Sequence, residues 1–189
     1  MNNLFPIFLK LEQLHTLIVG GGNVGLEKLE AVLRNSPEAT VTLVAPEIRD
    51  EIKALAQSHK LTLVFEKYDS KYLQGKDIVI AGTDDKAVNQ QVQEDCKAHK
   101  ILVNIADTPD LCDFYLSSVV QKDDLKIAIS TNGKSPTFAK RFREVLEEIL
   151  PDTLQEILDN LQSIRNKLKG DFQEKVQKLN EITKVMREK

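Results

Sequence analysis

The chain has 189 residues, 41% of them hydrophobic and 29% charged, with a formal net charge of −3. That length suits one core domain with a small extension, and the acidic balance argues against a general nucleic-acid binder, which carries a basic bias. Two cysteines, Cys96 and Cys112, are too few for a disulfide scaffold and suit a reducing cytosol.

The opening Met1-Asn2-Asn3-Leu4-Phe5-Pro6 lacks the basic region and long apolar core of a signal peptide. No apolar run approaches the length of a membrane span. His15 falls in an expected turn, and Thr16–Val19 reads as a strand. Gly20-Gly21-Gly22-Asn23-Val24-Gly25 comes next, ahead of a helical pattern over Asn23–Arg34 with Val24, Leu29, Val32 and Leu33 as core positions. Gly20, Gly22 and Gly25 fit G-x-G-x-x-G between a strand and a helix, the context that makes this a dinucleotide-binding pattern. The first glycine permits the tight turn, the second lets backbone approach a pyrophosphate, and the third lets helix pack on strand. The helix start then attracts phosphate. A glycine turn in some other α/β domain is the plainer alternative.

Val41–Val44 reads as a second strand. Pro46 and Glu47 follow it, where an acidic side chain can meet a ribose hydroxyl. A short helix lies within 46–58, then a third strand, Leu61–Phe65, and a fourth, Ile78–Ala81. Lys86–Ala98 reads as a helix and Ile101–Asn104 as a fifth strand. This alternation implies a parallel sheet covered on both faces. His59 and His99 fall just after helices, as C-terminal caps or surface groups. No His/Cys cluster has metal-site spacing, so no metal is expected.

The rhythm changes after Asp110. Phe114–Val120 and Leu125–Ser130 look like an antiparallel hairpin around Gln121-Lys122-Asp123-Asp124. Ser135 suits an N-cap with Pro136 as the first helical residue. An apolar stripe of Leu150, Leu154, Ile157, Leu161, Ile164 and Leu168 continues through Phe172, Val176, Leu179, Ile182 and Met186. Gly170 ends one helix, and Asp171 with Glu174 resembles a capping box for the next. The chain thus divides into a dinucleotide-binding domain over 1–112, a hairpin region over 113–149, and a helical region over 150–189.

Five segments, in order, carry a resemblance: Phe5-Pro6-Ile7-Phe8-Leu9, Val19-Gly20-Gly21-Gly22-Asn23-Val24, Ala81-Gly82-Thr83-Asp84-Asp85, Val103-Asn104-Ile105-Ala106-Asp107, and Ile127 through Pro136. Together they resemble the precorrin-2 dehydrogenase family, the siroheme-synthase N-terminal proteins, over Phe5 to about Leu150. Some members are also sirohydrochlorin ferrochelatases. The resemblance implies a Rossmann-type α/β fold with a dimerisation hairpin and a helical C-terminal region. It further implies NAD as hydride acceptor, precorrin-2 as substrate and a homodimer. A standalone member is expected, without the methyltransferase domain of the fused siroheme synthases.

Removing two hydrogens from precorrin-2 sends a hydride to nicotinamide and a proton to a base. Asp107 matches the family's proposed catalytic aspartate and follows the fifth strand, at the sheet edge where such folds bind ligands. Taken alone it equally suits a loop cap before Thr108-Pro109. Gly20, Gly22, Asn23 and Val24 are expected at the pyrophosphate, and Pro46 and Glu47 at the adenosine ribose. Ala45 stands where the usual acid ends the second strand, and Arg49 leaves room for NADP. Thr83 and Asn104 either line the cofactor cleft or simply end their strands.

The substrate carries eight carboxylates, so its site needs amide donors and cations. Asn132, Gly133, Lys134 and Ser135, ahead of a helix, suit that task. Arg141 follows, with Lys140 and Arg143 beside it, either binding carboxylate through paired hydrogen bonds or forming a solvated basic face. The resemblance places a substrate-proximal serine at Ser118, although neighbouring Ser117 replaces the proline common in relatives. Cys112 reads as a small buried side chain. Competing readings are an NAD-sensing regulatory module and a dedicated sirohydrochlorin chelatase. The intact glycine turn argues against the chelatase, and the Asp107 and Lys134 segments favour an enzyme over a sensor.

Overall fold

Short runs of β-branched and aliphatic residues form the strands, the three central ones buried on both faces. In the computed structural model, which describes residues 2–184, these are His15–Val19, Thr40–Val44, Leu61–Val64, Ile78–Ala81 and Leu102–Ile105 (β1 to β5). Helices Asn23–Asn35, Asp50–Leu55 and Lys86–His99 (α1 to α3) connect them, with a 3₁₀ turn at Ser70–Leu73 ahead of β4. The sheet order is β3-β2-β1-β4-β5, and every pairing is parallel. The order reverses between β1 and β4, which opens a crevice beyond their carboxyl ends.

Strand periodicity divides the core in two. Ile18, Leu43 and Ile80 are in register across β1, β2 and β4 and pack with Leu29, Val32, Leu33 and Ile52 from α1 and α2. One residue along, Val19, Val44, Ala81 and Ile105 align on the opposite face with Val92 and Cys96 of α3. Alternate side chains point to opposite faces, so both faces must be apolar in a sheet covered twice.

The chain divides into two compact units, one ending at Ser117 and one beginning at Ser118. In the second, Ser118–Lys122 and Leu125–Ile129 (β6 and β7) pair antiparallel. Pro136–Ile149, Leu154–Lys167 and Phe172–Thr183 (α4 to α6) follow. A two-residue turn at Asp123-Asp124 joins the strands, with Asp123 at φ 51°. Gln155 secures this turn: its Oε1 accepts from Asp124 N at 3.1 Å and its Nε2 donates to Asp124 Oδ2 at 2.9 Å. Asp171 caps α6 by accepting from Glu174 N at 2.9 Å. Met186, read as part of the last helical stripe, lies outside the described residues.

Three expectations need correction. His15 is not in a turn but opens β1. Its N donates to Asp77 Oδ2 at 2.7 Å, its O accepts from Asp77 N at 3.0 Å, and its Nε2 lies 2.9 Å from Thr42 Oγ1. Burial, then Lys76, lowers its pKa against the pull of Asp77. Second, residues 114–117 are not strand. Asp113 holds this stretch to β5: its N donates to Val103 O at 2.8 Å and its Oδ2 accepts from Val103 N at 3.0 Å. Third, Leu150 ends α4 instead of opening the next stripe. Pro151 follows, and the residue before a proline is pushed out of the helical region. His59 and His99 do cap helices, with Nδ1 lying 3.1 Å from Leu55 O and 2.8 Å from Asp95 O.

Candidate cofactor and substrate sites

The glycine turn leaves β1 at the point where the sheet reverses. Gly20 N donates to Val44 O at 3.0 Å and Gly82 N to Val19 O at 2.9 Å, so the ends of β2, β1 and β4 converge there. Gly20 takes φ 122°, and a Cβ on it would stand 2.5 Å from Gly82 O. A Cβ on Gly25 would stand 2.1 Å from Gly20 O. Both contacts are impossible for a larger residue without movement. Gly22 differs: a Cβ there meets nothing within 4 Å. It occupies the N-cap of α1 with no side-chain cap, so the first N–H groups of α1 keep their donors for a ligand. That pattern fits a dinucleotide pyrophosphate, with Gly22, Asn23 and Val24 at the contact.

Two glycines outside the expected contact set matter equally. A Cβ on Gly21 would stand 2.2 Å from Glu47 O, so the segment after β2 rests directly on the turn. A Cβ on Gly82 would stand 2.6 Å from Val24 Cγ1. The sequence signal for Gly82 was a glycine immediately after a strand; Gly21 carried none beyond the triplet. Pro46 and Glu47 are exposed on the segment after β2, while Ile48 between them and α2 is buried.

Thr83 lies two residues past β4. Its Oγ1 stands 2.8 Å from Asn89 Oδ1 and 3.0 Å from Asp85 O, and Asn89 Nδ2 donates to Thr83 O at 2.9 Å. Asn89, 8% exposed, thus locks this loop, a role its sequence context did not signal. Asn104 does not end β5, which runs on to Ile105. Its side chain is buried, and Nδ2 donates to Phe114 O at 2.7 Å.

Asp107 projects from the turn after β5. Ala106 N donates to Ala81 O at 2.8 Å, which sets this turn beside the end of β4. Asp107 is exposed, sits at φ 57°, and has no side-chain partner among the described residues. Aspartate tolerates this left-handed conformation better than most residues. Cys112 pins the turn from beneath. Its Sγ accepts from Ile105 N at 3.2 Å and lies 3.1 Å from Ile105 O and 3.4 Å from Thr108 O. Burial pushes its thiol pKa up.

In the second unit, Asn132 and Gly133 both take positive φ, 55° and 74°. The tight bend commits donors expected to be free: Lys134 N donates to Thr131 O at 3.1 Å and Ser135 N to Thr131 Oγ1 at 3.1 Å. Ser135 Oγ caps α4 by accepting from Phe138 N at 3.1 Å. The Asn132 and Lys134 side chains remain exposed. On α4, Arg141 pairs with Glu144 at 2.8 Å and Arg143 with Glu147 at 3.0 Å. Ser118 pairs with Ile129 at the open end of the hairpin, half-buried. Among the described residues no three His, Cys, Asp or Glu side chains gather as a metal site, and no helix is long and apolar enough to cross a membrane.

Comparisons with known proteins agree with this geometry. A family model described as "Putative NAD(P)-binding" matches residues 7–118, and "Sirohaem biosynthesis protein central" matches residues 122–149. The chain is 43% identical to a siroheme synthase of Psychrobacter sp. (strain PRwf-1), over 92% of this chain and 34% of the relative. It is 35% identical to a siroheme synthase of Escherichia coli, over 88% of this chain and 36% of the relative. The chain therefore spans about a third of the length of the curated relatives it matches. A solved structure titled "SirC, precorrin-2 dehydrogenase" superposes with TM-score 0.73 at 26% identity, covering 95% of this chain and 89% of the other. The model over residues 7–118 covers more than half of the chain, and the glycine turn lies within it, so the chain belongs to the putative NAD(P)-binding family, here followed by a sirohaem-biosynthesis central segment.

Proposed function

We propose that the chain dehydrogenates precorrin-2 to sirohydrochlorin, with NAD as acceptor. The observation that carries this reading is an exposed Asp107 carboxylate, unpartnered among the described residues, held on a left-handed turn at the sheet edge that bears the glycine turn. The SirC likeness over nearly the whole chain supports the substrate. When bound, the nicotinamide supplies the hydride acceptor. The α1 N–H groups and Asn23 hold the pyrophosphate, and Glu47 faces the adenosine ribose. Thr83 keeps the loop beside the cofactor in place. Asp107 takes the proton that leaves the macrocycle. Ser118, Asn132, Gly133, Lys134 and Arg141 face substrate carboxylates; for Arg141 this means exchanging Glu144 for a ligand oxygen. Ser135 contributes chiefly by capping α4.

Anaerobic incubation with precorrin-2 and NAD⁺ tests the reading. Sirohydrochlorin should form in step with cofactor reduction. Folded protein that binds NAD⁺ but does not turn over would favour a sensor, and metal insertion without oxidation would favour a chelatase.

We also propose a cytoplasmic homodimer. Phe138, Phe142, Val145 and Ile149 form an apolar stripe on α4 that is 42–67% exposed, and such a face is costly to leave in water. Size-exclusion chromatography with light scattering should give about twice the 21.3 kDa chain mass; a 21.3 kDa species alone sinks the dimer.

A further inference from the structure

We propose that Glu51 sets the dinucleotide preference by holding Arg49 on Asn23 and away from a 2′-phosphate on the adenosine ribose. This rests on the cofactor reading above and deepens it.

Arg49 lies on the segment that rests against the glycine turn. Its N donates to Gly21 O at 3.1 Å, so it stands where a cation can reach the ribose side of a bound dinucleotide. An arginine near this edge is the usual partner of a 2′-phosphate. Here its guanidinium is already engaged. Nε donates to Glu51 Oε2 at 3.2 Å, Nη2 pairs with Glu51 Oε1 at 2.5 Å, and Nη1 donates to Asn23 Oδ1.

The Asn23 contact has a second consequence. Guanidinium can only donate, so the carbonyl oxygen of Asn23 must face Arg49. The NH₂ end is then turned away from Arg49, at the first residue of α1, where the backbone donors are free. Glu51 therefore fixes the fork, and the fork fixes the amide that meets the pyrophosphate. A 2′-phosphate arriving here has to displace Glu51 from Arg49 and then stand beside the released carboxylate. Glu47, exposed on the same segment, adds to the repulsion. A 2′-hydroxyl meets neither obstacle.

Calorimetric titration of the full chain with NAD⁺ and NADP⁺ tests this. Wild type should prefer NAD⁺. Glu51→Gln removes the charge and frees the fork, so the affinity ratio should move toward NADP⁺ by about tenfold. Adding Arg49→Met to Glu51→Gln should cancel that gain, which a general loosening of the loop would not do. Wild-type preference for NADP⁺, a ratio unchanged in Glu51→Gln, or a gain that persists in the double variant overturns the inference. Wild type binding neither dinucleotide overturns the cofactor reading itself.

Discussion

At the scale of single residues, conformation and chemistry are joined at Asp107. Its φ of 57° means that Asp107→Ala would mix a lost carboxylate with backbone strain of about 1–2 kcal/mol. Asp107→Asn separates them, because asparagine also accepts this conformation. The expected result is a turnover loss of about 10²- to 10⁴-fold, the range for a general base, with an unchanged melting temperature and retained NAD⁺ binding. The glycines give a second contrast. Gly25→Ala drives a Cβ into Gly20 O and should cost about 1–3 kcal/mol in urea denaturation. Gly22→Ala meets open space and should cost about 1 kcal/mol or less, yet weaken NAD⁺ binding if the pyrophosphate sits at α1 as proposed. The glycine spacing was legible without coordinates. Gly21 was not, because its constraint is a carbonyl from the segment after β2.

At the scale of elements, β5 shows how a sheet edge is closed. Asp113 N and Oδ2 occupy Val103 O and N, so one residue takes the place of part of a neighbouring strand and leaves fewer groups for edge pairing. Asp113→Ala should destabilise the first unit by about 1–3 kcal/mol, the scale of a hydrogen bond to a charged acceptor. Amide exchange at Val103 should rise by more than the loss of global stability explains. Residues 114–117 read as strand because Phe114, Tyr115 and Leu116 are aromatic and aliphatic and run into Val119 and Val120. They are not strand because Asp113 and Asn104 bind this stretch to β5 before pairing in the hairpin begins. The hairpin core and the start of α4 were readable, since the Asp-Asp turn and the Ser135-Pro136 cap are local signals.

At the scale of the molecule, the two faces of the sheet bury chemistry as well as apolar area. Cys96 is fully buried against β1 and β5, and burial pushes its thiol from an ordinary 9.0 up to about 12. Across that window the unfolded chain releases a proton that the folded chain keeps, so the folded state loses stability as pH rises. Urea denaturation at increasing pH should show a steeper decline for wild type than for Cys96→Val; equal slopes would refute this account. Ellman's reagent should find Cys96 only after denaturation.

The sequence by itself determined the strand-helix alternation, the glycine turn and the helix caps. Each depends on residues close together in the chain, where periodicity and turn chemistry act. It also carried enough family pattern to single out Asp107. Only tertiary structure decided that Arg49 is spent on Glu51 and Asn23, that Thr83 is locked by Asn89, and that the Lys134 and Ser135 amides are already bonded. Those outcomes depend on which donor meets which acceptor in the folded loops, across 26 residues for Arg49 and Asn23 and within six for the others, and spacing along a chain does not encode that choice.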